Sequence, residues 1–490
     1  MHRFRTLTYV LLVVAVAPFY ATAAERPNIV ILYADDMGYG DLAVQNPAAK
    51  VLTPNLDALA RQSLRFTDAH SSASICSPSR YALLTGRYHW RSFHGIVDSF
   101  GPSAFNGEAT LPEVLRSAGY RTACIGKWHL GWNWNAIKRP GAVPSREAGY
   151  APDAFDWSRP IPGGPLDHGF DEYFGDDVPN FPPYAWFEND RIVTPPSVPR
   201  TTPGKPAEGG WECRPGPMVE GWDFAAVMPT LTKRAVDWIG RQKGKAEPFF
   251  LYFPFTSPHA PMLPTSEYAG KSQVGGYGDY LLQTDATVGA VLAALKANGL
   301  DESTIVIFSS DNGPESYAYP RLRKLEHRST GPWRGLKRDL YEGGHRVPLL
   351  VRWPGVVKPG MSDALVSQID LFATLAAAGD APIPAGAAPD SHNLLPLWEG
   401  TGPSPRHTIV HAAPNERYAI RDGDWVYIDA PTGNVTKAPG WFNKSQGYEA
   451  HQSPGELFDL KADPAQQSNL FETHPEQVAK LKAKLAEARR

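Results

Sequence analysis

Four short apolar, β-branched runs in this chain are each followed at once by residues able to do chemistry. Asn28 to Ala34 leads into Asp35-Asp36, and Thr304 to Ser310 leads into Asp311-Asn312-Gly313. Adjacent carboxylates repel unless a cation neutralises them, and oxygen donors of this kind suit a hard ion, Ca2+ or Mg2+. An isolated Asp-Asp pair reads more simply as a helix cap or turn; a second oxygen-rich pair at an equivalent position shifts the weight toward a metal cage. Arg121 to Gly126 runs into Lys127-Trp128-His129, and Pro248 to Phe255 into Ser257-Pro258-His259. These supply a cation and two imidazoles, suited to holding an anion or moving a proton. Taken singly, each is as well read as an ordinary core or surface residue. Cys76 stands just before Pro78, a residue suited to a helix's first turn, where free N–H groups and Arg80 one turn on would face an anion. A buried cysteine beside a cap is the plainer alternative for that run alone.

The elements that must position these residues follow from pattern. Short apolar runs with helical stretches between them predict an α/β fold, a large mostly parallel sheet covered by helices; a fifth run is Val347 to Val351. In open parallel sheets ligands bind beyond the carboxyl ends of the strands, so the four polar run-ends are expected at one site. Thr53-Pro54 opens a helix whose buried face would carry Leu56, Leu59, Leu64 and Phe66. Thr110, Pro112 and Glu113 form a capping-box start closed by Gly119, and Tyr280 to Asn298 is a third helix. From Trp132 to about Trp222 the chain is rich in Pro, Gly and Trp, which predicts a long surface excursion near the site. After residue 400, Tyr418 to Ile420 and Trp425 to Ile428 read as antiparallel strands, with a final helix from Pro475 to Arg490. The expected division is a leader over 1–23, a catalytic domain over 24–400 and a smaller α+β subdomain over 401–490.

Composition limits the functional classes. The chain has 490 residues, 42% hydrophobic and 20% charged, which excludes wholesale disorder. A formal net charge of −3 without a dense Lys/Arg run argues against a nucleic-acid partner. Arg3 and Arg5, the apolar stretch Leu7 to Ala17 and the small residues Ala21-Thr22-Ala23 read as a signal peptide, so a periplasmic or secreted protein without a stable membrane span is expected. The three cysteines, Cys76, Cys124 and Cys213, are too few for a disulfide framework and leave at least one thiol over. Cys124 and Cys213 could pair. The tryptophans of the excursion, Trp132, Trp134, Trp157, Trp186, Trp211 and Trp222, are candidates for sugar stacking, with packing the plainer reading of each.

Cys76-Ser77-Pro78-Ser79-Arg80, continued by Leu84-Thr85-Gly86-Arg87, resembles the Cys-x-Pro-x-Arg signature of the formylglycine-dependent (type I) sulfatases, arylsulfatase-like members of the alkaline phosphatase superfamily. Further segments match in the family's order: Asp35-Asp36-Met37-Gly38, Gly126-Lys127-Trp128-His129, Asp167-His168-Gly169, Pro258-His259, Ser310-Asp311-Asn312-Gly313, Arg334-Gly335-Leu336-Lys337 and Glu342-Gly343-Gly344. The resemblance implies an alkaline phosphatase-like sheet and a sulfuric ester hydrolase, and export with the Trp-rich excursion points to a sulfated glycan as its substrate, with small sulfate esters also expected to react. The resemblance also implies that a formylglycine-generating or sulfatase-maturing enzyme converts Cys76 to formylglycine, whose hydrate is the nucleophile. One Ca2+ would sit on Asp35, Asp36, Asp311, Asn312 and the modified Cys76 side chain. Lys127 and Lys337 would bind sulfate, Arg80 and His129 would hold the gem-diol, and His259 would protonate the departing oxygen. The chain departs from the family at Leu336, where many relatives carry Gly, and at Arg338-Asp339-Leu340, where small or hydroxyl-bearing residues are common. Phosphonate monoester or phosphodiester hydrolysis is the nearest alternative, and a catalytically silent glycan-binding relative is the alternative of another class.

Overall fold

The computed structural model describes residues 26–201 and 212–490, so the expected signal peptide and Trp211 lie outside the described residues. Among the described residues the largest sheet has ten strands. Its centre is five parallel strands in the spatial order Thr304–Ser310, Asn28–Ala34, Phe249–Pro254, Arg121–Lys127 and Glu172–Asp177. Leu349–Arg352 joins the first of these antiparallel, followed by Leu64–Phe66 and Gly360–Ser362; Phe187–Glu188 and Arg191–Ile192 close the other side.

The central strands are continuous apolar runs because both faces are covered. Along Asn28–Ala34, Ile29, Ile31 and Tyr33 enter one buried layer and Val30, Leu32 and Ala34 the other. The first layer includes residues of the helices Cys76–Thr85, Leu111–Ser117 and Leu371–Ala378; the second includes residues of Pro54–Arg61, Val227–Gly240 and Gly275–Ala297. The capping box at Thr110 is formed: its side chain accepts from the Glu113 N–H at 3.3 Å, and Glu113 accepts from the Thr110 N–H at 2.8 Å.

A four-stranded antiparallel sheet, Thr408–Ala413, Arg417–Asp422, Trp425–Ile428 and Glu456–Asp459, carries the helix Pro475–Ala488. Its Val410, Ile420, Tyr427 and Leu457 pack with Ala82, Tyr88 and Trp90, so this sheet backs the helix that begins at Cys76.

Two expectations are corrected. Leu64 and Phe66 lie in a short strand between Leu349–Arg352 and Gly360–Ser362, because the helix opened by Pro54 ends at Arg61 and Ser63 turns the chain. The excursion is not confined to the surface: it contributes the parallel strand Glu172–Asp177, and Trp132, Trp134 and Trp157 are buried in the core. Trp132 packs against Tyr173 and Phe187, and the half-buried Trp186 and Trp222 pack against each other. Packing therefore accounts for these tryptophans. Cys124 and Cys213 are buried free thiols.

Candidate active site

Register brings the four run-ends together. Ala34 is level with Ser310, so Asp35 and Asp311 leave the sheet side by side, and the Asp311 N–H donates to the Ala34 carbonyl at 3.1 Å. The Asp35 N–H donates to the Ser257 carbonyl at 3.0 Å, which draws in the segment carrying His259. Gly126 permits the next strand to close up: a Cβ there would lie 1.9 Å from the Pro254 carbonyl oxygen. Lys127 thereby reaches Asp35, with Nζ 2.6 Å from Oδ2. The helix Cys76–Thr85 starts at Cys76 and delivers Arg80 to Asp311 through Nε at 3.1 Å and Nη2 at 2.7 Å.

Lys337 comes from an irregular segment and lies 2.7 and 2.8 Å from the two Asp36 oxygens. Asn312 donates to Asp36 at 2.7 Å, and His259 Nε2 is 3.7 Å from Asp36. All ten residues singled out from the sequence thus converge, and none is more than 9% exposed. Asp36 and His129 both hold left-handed backbone, with φ of 64° and 55°. Non-glycine residues keep such conformations only where the surroundings over-determine them, often at functional sites.

Three carboxylates, Asp35, Asp36 and Asp311, face three cations, Arg80, Lys127 and Lys337. Burial works against ionising Asp36, yet Lys337 and His259 beside it hold its pKa below the ordinary carboxylate value. Burial and then the neighbouring Asp35 raise that of Asp311. The same burial pushes the Cys76 thiol up to about 12. An unmodified Cys76 would therefore be a neutral thiol at neutral pH and a poor nucleophile.

Burial holds both imidazoles toward the neutral form. Burial first, then Lys127 and Arg80, lowers His129 far below the usual histidine value; burial also brings His259 to about 4. His129 Nε2 donates to the Val97 carbonyl at 3.0 Å, leaving Nδ1 as a buried lone pair without a partner. His259 Nδ1 donates to the Ala260 carbonyl at 2.5 Å, so its Nε2 is the atom that faces the site.

The donor set fits a hard divalent ion. Oδ1 of Asp35 and Oδ1 of Asn312 are buried and accept no hydrogen bond. Ligand atoms of Asp35, Asp36, Cys76 and His259 all lie within 4.8 Å of one another. His70, His345 and His411 form a second close group, but the His345 and His411 rings are stacked 3.5 Å apart at 10°, so their in-plane lone pairs do not meet at one ion. These two instead donate to the carbonyls of Leu340 and Ser71, tying the approach to Cys76 to its surroundings.

Several supporting residues were not anticipated from the sequence. Asp177 accepts the His129 N–H at 3.2 Å, and burial lifts Asp176 and Asp177 to about 7 and about 6. They end the Glu172–Asp177 strand, the same strand-end signal as Asp35-Asp36, hidden inside the Pro- and Trp-rich excursion. Gln368 braces two strand ends by donating to Ser309 Oγ and the Ser310 carbonyl while accepting from Tyr33. It lies on a short 3-10 turn that no motif marks.

The sulfatase family model matches residues 27–381, which include every one of the ten site residues. The chain belongs to the sulfatase family. Among its sulfatase relatives, the N-acetylgalactosamine-6-O-sulfatase of Bacteroides thetaiotaomicron is 34% identical, over 94% of this chain and 92% of that protein. Human arylsulfatase A is 34% identical, over 91% of this chain and 84% of its own length. A solved sulfatase structure, described under the metabolism of multiple glycosaminoglycans by Bacteroides thetaiotaomicron, superposes with a TM-score of 0.80 at 32% identity and covers 95% of this chain and all of that one.

Proposed function

We propose that this sulfatase releases inorganic sulfate from a sulfated saccharide, with 6-sulfated N-acetylgalactosamine as the first substrate class to test. The observation that carries this reading is the closed set of three cations and four oxygen-bearing side chains around Cys76 at a helix start. The name of the Bacteroides thetaiotaomicron relative supplies the saccharide and the position of its sulfate.

In this reading a maturation enzyme converts Cys76 to formylglycine, and Asp35, Asp36, Asp311 and Asn312 hold one Ca2+. The hydrated aldehyde supplies the nucleophilic oxygen, and the bound ion draws charge from the sulfate oxygens.

The chain's own residues have defined tasks. Each lysine ammonium has three donors and spends only part of them on Asp35 or Asp36, so Lys127 and Lys337 can also hold sulfate oxygens. Arg80 keeps Nη1 free of protein acceptors, pointing to a role in holding the nucleophile's hydroxyl. The unpartnered Nδ1 of His129 can accept a proton from that hydroxyl. His259 Nε2 serves the leaving oxygen: the charge of a bound anionic ester opposes that of Lys337 and Lys127 and helps return its proton. Fixed donors in a buried pocket each contribute roughly 10²–10³ in rate.

Export by the 1–23 leader belongs to the same proposal, as does the division into a 24–400 catalytic domain and a 401–490 subdomain. No described helix is long and apolar enough to cross a membrane. The matured protein should release sulfate from N-acetylgalactosamine 6-sulfate and from an aryl sulfate far faster than it releases phosphate or phosphonate from matching esters. The opposite preference would favour the phosphonate or phosphodiester reading, and release from none would favour a silent glycan-binding relative.

A further inference from the structure

Arg338 follows Lys337 directly in the chain. Its backbone is left-handed, with φ of 77°, a conformation in which any Cβ crowds the chain. Its N–H donates to the Ser74 carbonyl at 2.7 Å, two residues before Cys76, so the fold holds it in this conformation. A bulky residue kept where glycine would be relaxed suggests a gain elsewhere.

The side chain shows where that gain can arise. Its guanidinium forks Glu315, with Nη1 to Oε1 at 2.8 Å and Nη2 to Oε2 at 2.7 Å. Glu315 in turn lies 3.9 Å from Lys337 Nζ, which fixes the arginine beside the sulfate-binding cations. Exposure separates it from those cations: the Arg338 side chain is 35% exposed, against 3% for Lys337 and none for Arg80 and Lys127. With one edge of its fork on a carboxylate, an arginine retains Nε–H and one N–H on each terminal nitrogen. Those donors sit on a partly exposed side chain next to Lys337, the cation that holds sulfate in the reading above.

We propose that Arg338, braced by Glu315, is the specificity-determining residue that donates hydrogen bonds to hydroxyl or ring oxygens of the saccharide bearing the sulfate. This rests on the sulfatase reading and assigns recognition of the organic part of the substrate to one residue. Arg338 touches the sugar and leaves bond cleavage to the buried set.

The test compares wild type, Arg338→Gly and Arg338→Lys as matured, Ca2+-loaded enzymes on N-acetylgalactosamine 6-sulfate and on nitrophenyl sulfate. Arg338→Gly relieves the left-handed strain but removes the fork on Glu315 and leaves it Lys337 at 3.9 Å, so Tm is measured beside the kinetics to confirm that each variant is folded at the assay temperature. The KM of Arg338→Gly for the sugar should rise about 10–100-fold, the loss expected for one or two charge-assisted hydrogen bonds, with kcat nearly constant and the aryl ester little affected. Arg338→Lys should recover part of the sugar KM. Equal losses on both esters, or losses confined to kcat, would show that the residue acts only through Glu315 and Lys337 and would overturn the proposal. An unchanged sugar-to-aryl ratio would overturn it as well. A wild type active only on the aryl ester would refute sugar reading by Arg338 while sparing the sulfatase reading; a wild type active on neither ester would defeat the sulfatase reading itself.

Discussion

Removing the divalent ion with a chelator should silence the enzyme without unfolding it, and the reason is the charge balance of the pocket. Asp35, Asp36 and Asp311 are each paired with a protein cation, at 2.6 Å to Lys127, 2.7 Å to Lys337 and 2.7 Å to Arg80. The fold therefore needs no ion to neutralise buried carboxylates, whose unpaired burial would cost several kcal/mol each. An ion present at a hundred times its dissociation constant adds only about 2.7 kcal/mol of stability. At no more than about 4 °C per kcal/mol in a chain of this size, its removal should lower Tm by no more than about 11 °C. Turnover should fall by at least about 10²-fold, since the ion's stabilisation of sulfate charge is lost. Thermal melts and sulfate release, measured before chelation, after it and after Ca2+ is restored, make the assay. Full turnover in the chelated enzyme, or unfolding at the assay temperature, would refute the reasoning.

Two further outcomes follow from single residues. His259→Ala should lose about 10²–10⁴-fold on a sugar sulfate, whose alkoxide leaving group needs a proton, and much less on nitrophenyl sulfate, whose phenolate does not; equal losses on the two would remove His259 from that role. Burial alone would raise the Glu342 carboxyl, but Arg346, His70 and Arg421 hold it at about 2 against an ordinary 4.5. That depressed value contributes stability above about pH 4.5, lost as pH falls toward about 2, and the shift corresponds to about 3 kcal/mol. Glu342→Gln should accordingly be less stable at neutral pH and show a flatter acid-unfolding curve by urea titration; curves parallel to the wild type would contradict this.

The strands ending at Ala34 and Ser310 are legible in the sequence because a sheet buried on both faces demands unbroken apolar runs, and the polar residues behind them announce themselves. Register is what those runs do not display: that Ala34 lies level with Ser310 depends on contacts far apart in the chain. Lys337 stands behind no strand and had only the family resemblance to mark it. Glu172–Asp177 escaped notice because its Glu, Gly and Asp residues break the apolar run that the neighbouring strands show. Leu64 and Phe66 kept the helical spacing of Leu56 and Leu59 although Ser63 had already turned the chain. The tryptophans illustrate a different limit, since a residue type that stacks on sugars packs equally well against Tyr173 and Phe187.

The most direct test of the account is the chemical state of Cys76. Peptide mass spectrometry of the protein, coexpressed with a formylglycine-generating enzyme, should find the thiol replaced by an aldehyde, and sulfate release should rise with the converted fraction and vanish in Cys76→Ala. Turnover unchanged in Cys76→Ala, or full activity from protein whose Cys76 is wholly unconverted, would contradict it.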